Sequence, residues 1–219
     1  MKKNDLLPPA LPARLEAAER GEELVLMARA REEPLTGWQF SGLCLAGEAL
    51  REMRFERCLF TGCRFTGAEL AGTSFVDVQF KNCDLSAVRA PGIYLCRCRL
   101  EGVKALAAQL PDCRLAHVRL QNCIFAGANL TGASLEKVLL ADCDFTGASL
   151  SECRHKGLAL QTSRFVKTSF FKTPLAGLDF TSSQLEGAVV SDTGAELRGA
   201  VVNTAQAADL ARVLGVVVR

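Results

Sequence analysis

From Phe40 to Leu185 every fifth residue is Phe or Leu, with three exceptions in thirty positions: Ala90, Ala105 and His155. Eleven of the twelve phenylalanines lie on this lattice, and Phe171 alone lies off it. The period therefore cannot be a by-product of general apolarity. It matches neither the turn of a helix nor the alternation of a flat strand. It matches a chain that bends once in every five residues and sends the same side chain inward after each bend.

The neighbours of these centres repeat as well. Two residues before the centre the chain is small or β-branched over most of the lattice, as at Cys58, Cys63, Ala68, Thr73, Val78, Cys83, Cys123, Ala128, Val138, Cys143 and Cys153. Two residues after it Gly recurs, as at Gly62, Gly67, Gly127 and Gly132, with Asn82 and Asn122 as substitutes. Gly or Asn at the third position of a corner is the mark of a type II turn, where that residue needs positive φ. The centre and the small residue then point inward, and the other three face water. Four corners close a square coil, and coils stack about 4.8 Å apart like parallel strands. The expected fold is all-β: a right-handed quadrilateral parallel β-helix about 36 Å long, followed by a short C-terminal α-helix.

Residues twenty apart stack in such a coil. One ladder reads Phe40, Phe60, Phe80, Leu100, Leu120, Leu140, Leu160, Phe180, and another Leu45, Phe65, Leu85, Ala105, Phe125, Phe145, Phe165, Leu185. Large centres fit a narrow square only if the second inward position stays small. The ladder Cys63, Cys83, Cys123, Cys143 meets that need, with Cys as a small hydrophobe.

The segments Phe60-Thr61-Gly62-Cys63-Arg64-Phe65-Thr66-Gly67-Ala68-Glu69-Leu70 and Ala126-Gly127-Ala128-Asn129-Leu130-Thr131-Gly132-Ala133-Ser134-Leu135 resemble the A-(D/N)-L-x-x motif of the pentapeptide-repeat superfamily. The resemblance covers residues 38 to about 190. It implies the square β-helix but no one activity, because the superfamily is functionally diverse. Leu197 to Asn203 and Leu214-Gly215-Val216 resemble the C-terminal tail of the Qnr-type quinolone-resistance proteins. That likeness implies tail-to-tail homodimers. Superfamily members bind DNA gyrase or topoisomerase IV by resembling duplex DNA, so the likeness also offers a type II topoisomerase as partner and a DNA mimic as the alternative function.

Ten cysteines and no continuous apolar run near Met1 suit a reducing cytoplasm better than a secreted disulfide framework. Eight of them occupy the small inward position, and no C-x2-C pair occurs, so packing is expected and neither metal nor cofactor is. Cys44 and Cys96 lie off the inward positions and are the expected reactive thiols. His155 sits at a centre and is expected to point inward, while His117 points out. No phosphate loop, dinucleotide fingerprint or catalytic triad is present. The function expected is a non-catalytic protein-interaction or structural module.

Three segments are expected: an N-terminal cap at 1–37, the repeat at 38–192 and a capping or dimerisation segment at 193–219. Trp38, Leu43, Glu48 and Met53 are too large or polar for the small site and mark a capping coil. Pro12 to Arg20 could form a helix stopped by Gly21; Leu24 to Ala30 could be strand or helix. Pro91-Gly92 and Ala105 to Asp112 keep the phase, so an intact coil is a simpler reading there than a protruding loop. Asn203 and Gln206 make a capping box for a helix over Ala205–Leu214, with Gly215 at its C′ position and a short strand at Val216–Val218. Its stripe Ala207, Leu210, Ala211, Leu214 is either a cap or a dimer interface.

The net charge of +2 hides an uneven distribution. The face of Phe55, Phe75, Leu95, Leu115, Leu135 and His155 carries Arg54, Arg57, Arg97, Arg114, Lys137, Arg154 and Lys156 against Glu56, Asp77 and Glu136. The face of Leu50 and Leu70 is mildly acidic and the other two are near neutral. A DNA mimic needs a strongly acidic surface, and no face provides one. Base-stacking aromatics are missing from the basic face apart from Tyr94, which argues against nucleic acid as its partner.

Overall fold

The computed structural model describes residues 6–218. Residues 1–5, the start of the N-terminal cap expected at 1–37, lie outside them, as does Arg219. The chain winds into a right-handed quadrilateral β-helix of about seven turns. Every lattice position from Phe40 to Leu185 is buried except Leu110, His155 and Leu160, which are half-buried. Phe40, Phe60 and Phe80 pile ring on ring with centroids 4.9 and 5.1 Å apart, close to the spacing of neighbouring strands. Rings on adjacent faces meet edge to face, as Phe55 and Phe60 do at 5.5 Å.

All pairing is parallel, and between Leu35 and Val189 its shift is twenty residues: Phe60 opposes Phe80, Phe80 opposes Leu100, and Leu120 opposes Leu140. Two adjacent faces carry short strands such as Arg54–Glu56 and Leu59–Thr61. The other two are held by single bridges such as Arg64 to Asp84 and Glu69 to Arg89. The bridged faces end in hydrogen-bonded β-turns, in which Ala68 N donates to Phe65 O at 2.8 Å and Thr73 N to Leu70 O at 3.1 Å. The corners of the stranded faces are wider.

From Gly37 to Gly177 every residue two after a centre has positive φ, from 45° at Thr162 to 78° at Gly37. Arg57, Ala87, His117 and Lys137 therefore hold a conformation that costs a side-chain-bearing residue roughly 1–2 kcal/mol. The stacked coils impose the corner even where Gly is missing. The segment 105–112 is an intact coil: Ala105 N donates to Ile124 O at 2.7 Å and Leu110 N to Asn129 O at 2.8 Å.

The small inward position turns out to be a donor position too. Cys63 Sγ donates to Phe40 O at 3.5 Å and Cys98 Sγ to Phe75 O at 3.3 Å, each one coil down. Thr73 and Thr173 do the same to Leu50 O and Leu150 O at 2.6 Å. Cys and Thr thus alternate there because each is small and each satisfies a buried carbonyl.

The N-terminal end departs from the helix expected over Pro12–Arg20. That stretch is mostly extended, and Glu16–Ala17 adds a parallel half-rung beside Trp38 and Gln39. Prolines at 8, 9 and 12 withhold amide donors and favour extended chain. Gly21 begins a helix instead of stopping one. Helix α1 (Gly21–Arg31) crosses the open end of the rod, burying Val25 and Ala28 over the core. A Cβ on Gly21 would stand 3.2 Å from both Leu43 and Phe40 side chains, so Gly permits this close seat.

At the other end the repeat does not fade at residue 192; it slips by two residues and resumes. Leu175 N donates to Glu196 O and Gly177 N to Gly199 O, and Asp179 bridges to Val201. Leu197 and Val202 pack as two further centres, and Gly199 supplies the positive φ between them. The slip is absorbed by a one-turn 3-10 helix, Ala195–Leu197. The buried Glu196 carboxylate accepts from Lys172 N at 2.8 Å and from Ser191 N at 3.2 Å. Helix α2 (Thr204–Val213) follows, with Asn203 and Gln206 forming the reciprocal capping box. Gln206 Nε2 also donates to Phe180 O and Ser183 O at 2.8 and 2.7 Å, which seats α2 on the last coil. Val216–Val218 is not a strand and lies exposed.

Candidate interaction surfaces

The basic face exists as a surface, but it is not a uniform one. Arg54, Arg57, Arg114, Arg154 and Lys156 are exposed, and Lys137 and Arg97 are half-buried. One corner of the rod stacks Arg57, Asp77, Arg97, His117 and Lys137, all with positive φ. Asp77 is the one carboxylate among those five, and Arg97 grips it with two hydrogen bonds of 2.6 Å. The Arg97 guanidinium holds the Asp77 carboxyl below its usual range.

The N-terminal segment runs up this corner. Ala10 N donates to Asp77 Oδ1 at 3.0 Å, and Leu7 N donates to His117 Nδ1 at 3.1 Å, two coils further along. The segment thereby overlies part of the face that sequence alone left open. A lone Asp in a column of cations was the available signal.

A second feature, which the sequence reading missed, is a slit in the wall. Among the described residues no backbone hydrogen bond joins 154–162 to 174–181, although the two bridged faces of the same coils remain paired at Arg164–Gln184 and Ser169–Val189. The upper lip has changed shape: Leu178 N donates to Leu175 O at 3.1 Å and Ser183 N to Phe180 O at 2.8 Å. Tight turns have replaced open strand corners, so the two lips no longer match. Pro174 has no N–H for the ladder. Leu158 and Leu178 are both large at the small position of one column, where Cys98, Val118 and Val138 lie below. His155 is only half-buried, and its Nε2 donates to Pro174 O at 2.6 Å, standing in for the missing backbone donor. Leu158 and Leu160 are left half-buried beside it.

Burial keeps most of the core cysteines as thiols, whereas hydrogen bonding to the neighbouring Cys83 and Cys143 lowers Cys63 and Cys123. Burial pushes the Cys98 and Cys113 thiols up to about 12 and Cys153 up to about 11. Cys83 is raised by the adjacent Cys63 thiol and by burial. Cys44 and Cys96 are half-buried, with Arg64 Nη2 3.5 Å from the first sulfur and Arg97 Nη1 3.7 Å from the second. Among the described residues no three His, Cys, Asp or Glu side chains stand together as a metal site.

The expected apolar stripe on α2 divides between two directions. Leu210 is buried against the last coil beside Gln206, Ala211 is half-buried, and Ala207 and Leu214 are exposed. Leu210 is therefore part of the cap, because Gln206 fixes which side of α2 faces the rod. Leu214 packs over Gly194, where an added Cβ would meet its Cδ2 at 2.7 Å. Val213, Leu214, Val216 and Val217 form an exposed apolar end, and Val217 is 82% exposed.

Two family models, one for pentapeptide repeats in eight copies and one for a pentapeptide repeat region, match residues 50–86 and 73–143. Residues 50–143 are pentapeptide repeats. Among solved structures, QnrB1, a plasmid-mediated fluoroquinolone resistance protein, is 23% identical over 84% of this chain and 98% of its own, with a TM-score of 0.42. HetL, a pentapeptide repeat protein involved in heterocyst differentiation regulation from the cyanobacterium Nostoc sp. strain PCC 7120, is 20% identical over 81% of this chain and 95% of its own, with a TM-score of 0.30. No curated protein sequence matches. Over most of the rod the apolar groups are committed to the interior, and three surfaces stand out: the strapped basic corner, the slit and the apolar C-terminal end.

Proposed function

We propose that this pentapeptide-repeat protein is a non-catalytic, cytoplasmic interaction module that pairs with a second copy of itself through its C-terminal end. The observation that carries the reading is the exposed cluster Val213, Leu214, Val216 and Val217 beside an already capped rod. Gln206 and Leu210 seat the cap on the last coil, so the exposed part of the cluster beyond them is surplus to closing the core. Apolar side chains gathered at one end suit a two-fold contact between identical surfaces. Ala207 and Ala211 would let the partner's helix approach closely. The flanks of the paired rods remain free for another protein, and the exposed cations Arg54, Arg114, Arg154 and Lys156 suit an acidic surface on it. Ten free thiols fit a reducing compartment. No described helix is long and apolar enough to cross a membrane.

Light scattering after size exclusion tests the pairing. The wild type should have twice the chain mass, and L214D combined with V217D should have the mass of one chain with an unchanged circular dichroism spectrum. A wild type of single-chain mass sinks the reading. A supercoiling and quinolone-protection assay with DNA gyrase addresses the DNA-mimic alternative. The surface charge leads us to expect no effect, and protection at micromolar protein would replace the present reading with that one.

A further inference from the structure

At Ala105 the interior ladder of the rod is underfilled. Ala105 stands between Leu85 and Phe125 in a column otherwise made of Leu and Phe, and the neighbouring column changes from Phe80 to Leu100 at the same height. Normally a missing side chain is partly offset by collapse of the surroundings. Here collapse is blocked, because the coil is bonded to both neighbours: Leu85 N to Lys104 O at 2.6 Å below and Ala105 N to Ile124 O at 2.7 Å above. A cavity of about 50 Å³ results, walled by apolar side chains that include Leu85, Leu95, Ala105, Leu110, Leu115 and Phe125. The accessible surface of these interior residues tells the same story. Leu85, Leu95 and Leu115 keep 9%, 7% and 8%, whereas Phe55 and Phe60 keep none.

We propose that this cavity is a binding site for one small, non-hydrogen-bonding, polarisable molecule, of the class of xenon or dioxygen. Water is a poor occupant. It needs two or more polar partners, and the wall supplies none, so the cavity stays dry although it has room. An apolar guest needs no partner and recovers dispersion contacts that the wall atoms lack. Its entry requires transient opening of the coil, and no polar side chain has to leave the wall. The guest should be limited to a few heavy atoms by the cavity's size, which excludes drug-sized ligands.

Xenon gas is the probe that tests this. In protein with carbon-13-labelled Leu and Val methyls, rising xenon pressure should give saturable shifts confined to the methyls that line the cavity, among them Leu85, Leu95, Val103, Leu110 and Leu115. Methyls of Leu45, Leu50, Leu70 and Leu185, in well-filled coils, should show only the linear drift of pressure. A105V should weaken the saturable shift and A105L should abolish it. Because the wild-type shift map locates the site, the result does not depend on either variant folding. Absence of saturation in the wild type, saturation at the well-filled coils instead, or a response that survives in folded A105L would overturn the proposal.

Discussion

Asp77 and Arg97 occupy the same corner of successive coils and are joined by two hydrogen bonds of 2.6 Å. Each has positive φ, so the pair also ties together two strained backbone positions. The same carboxylate accepts from Ala10 N and so anchors the N-terminal segment. We expect D77N to lose about 1–2 kcal/mol, since hydrogen bonds to charged groups exceed neutral ones but Arg97 is partly exposed. Amides of residues 7–15 should exchange faster in the variant, and hydrogen exchange is the check. The pH dependence has one sign. The folded-state pKa of Asp77 lies below the ordinary 3.8, so its contribution is full above that value and is lost as pH falls through the lowered one. The difference in stability between wild type and D77N should therefore shrink below pH 3.8.

The thiols divide by position. Cys44 and Cys96 are half-buried beside arginines, while the other eight are buried in the core. A chromogenic disulfide reagent on the native protein should consume two thiols per chain and all ten only after unfolding. Mass spectrometry should place the fast label on Cys44 and Cys96. Rapid native labelling of Cys63 or Cys123 would mean that the coils open far more readily than their hydrogen bonding implies.

How much of this was legible in the sequence depends on which residues repeat. Phe40, Phe60 and Phe80 announced the stack because a lattice of Phe and Leu at every fifth position, with three exceptions in thirty, has no other simple fold. Asn203 and Gln206 announced the capping box because that motif is local. The two-residue slip at Gly194 hid the last half-coil, since Leu197 and Val202 fall off the phase. The extended N-terminal strap was missed because its partners, Asp77 and His117, lie far away in sequence and nothing local marks a docking segment. The donor role of Cys63 and Thr73 was overlooked because packing alone already explained a small residue there. The slit was the hardest feature to foresee: it needs Pro174, the Leu158–Leu178 column and His155 to act together, and each alone reads as a tolerated exception.

The donor role makes its own prediction. Thr73 Oγ1 satisfies Leu50 O at 2.6 Å in a fully buried setting. T73V keeps shape but leaves that carbonyl without its side-chain donor, and should cost about 1–3 kcal/mol in chemical denaturation. T73C should cost less than T73V, because Cys63 and Cys98 make the same bond at equivalent positions. Equal losses for the two variants would show that volume alone governs the site.

The slit predicts where the rod opens first. Two faces of the coil at 154–162 lack backbone bonds to the coil above, and that coil is held there by the bridges at Arg164 and Ser169 and the bond from Lys167 N to Glu186 O. Fewer bonds mean a smaller free energy of local opening. The amides of Gly157 and Leu160 should thus exchange faster than those of Lys137 and Leu140, one coil lower on the same faces. The cause can be separated from the effect. L158V combined with L178V restores the side-chain size found at Val118 and Val138, and P174A restores a donor to the ladder. If steric size and the missing N–H together hold the lips apart, the triple variant should slow exchange at Gly157 and Leu160. His155 should matter less there, because a backbone donor would replace its ring at the carbonyl of residue 174. In the wild type H155A should speed exchange at those amides, and in the triple variant it should not. Exchange at Gly157 as slow as at Lys137 in the wild type would show that the lips are closed in solution.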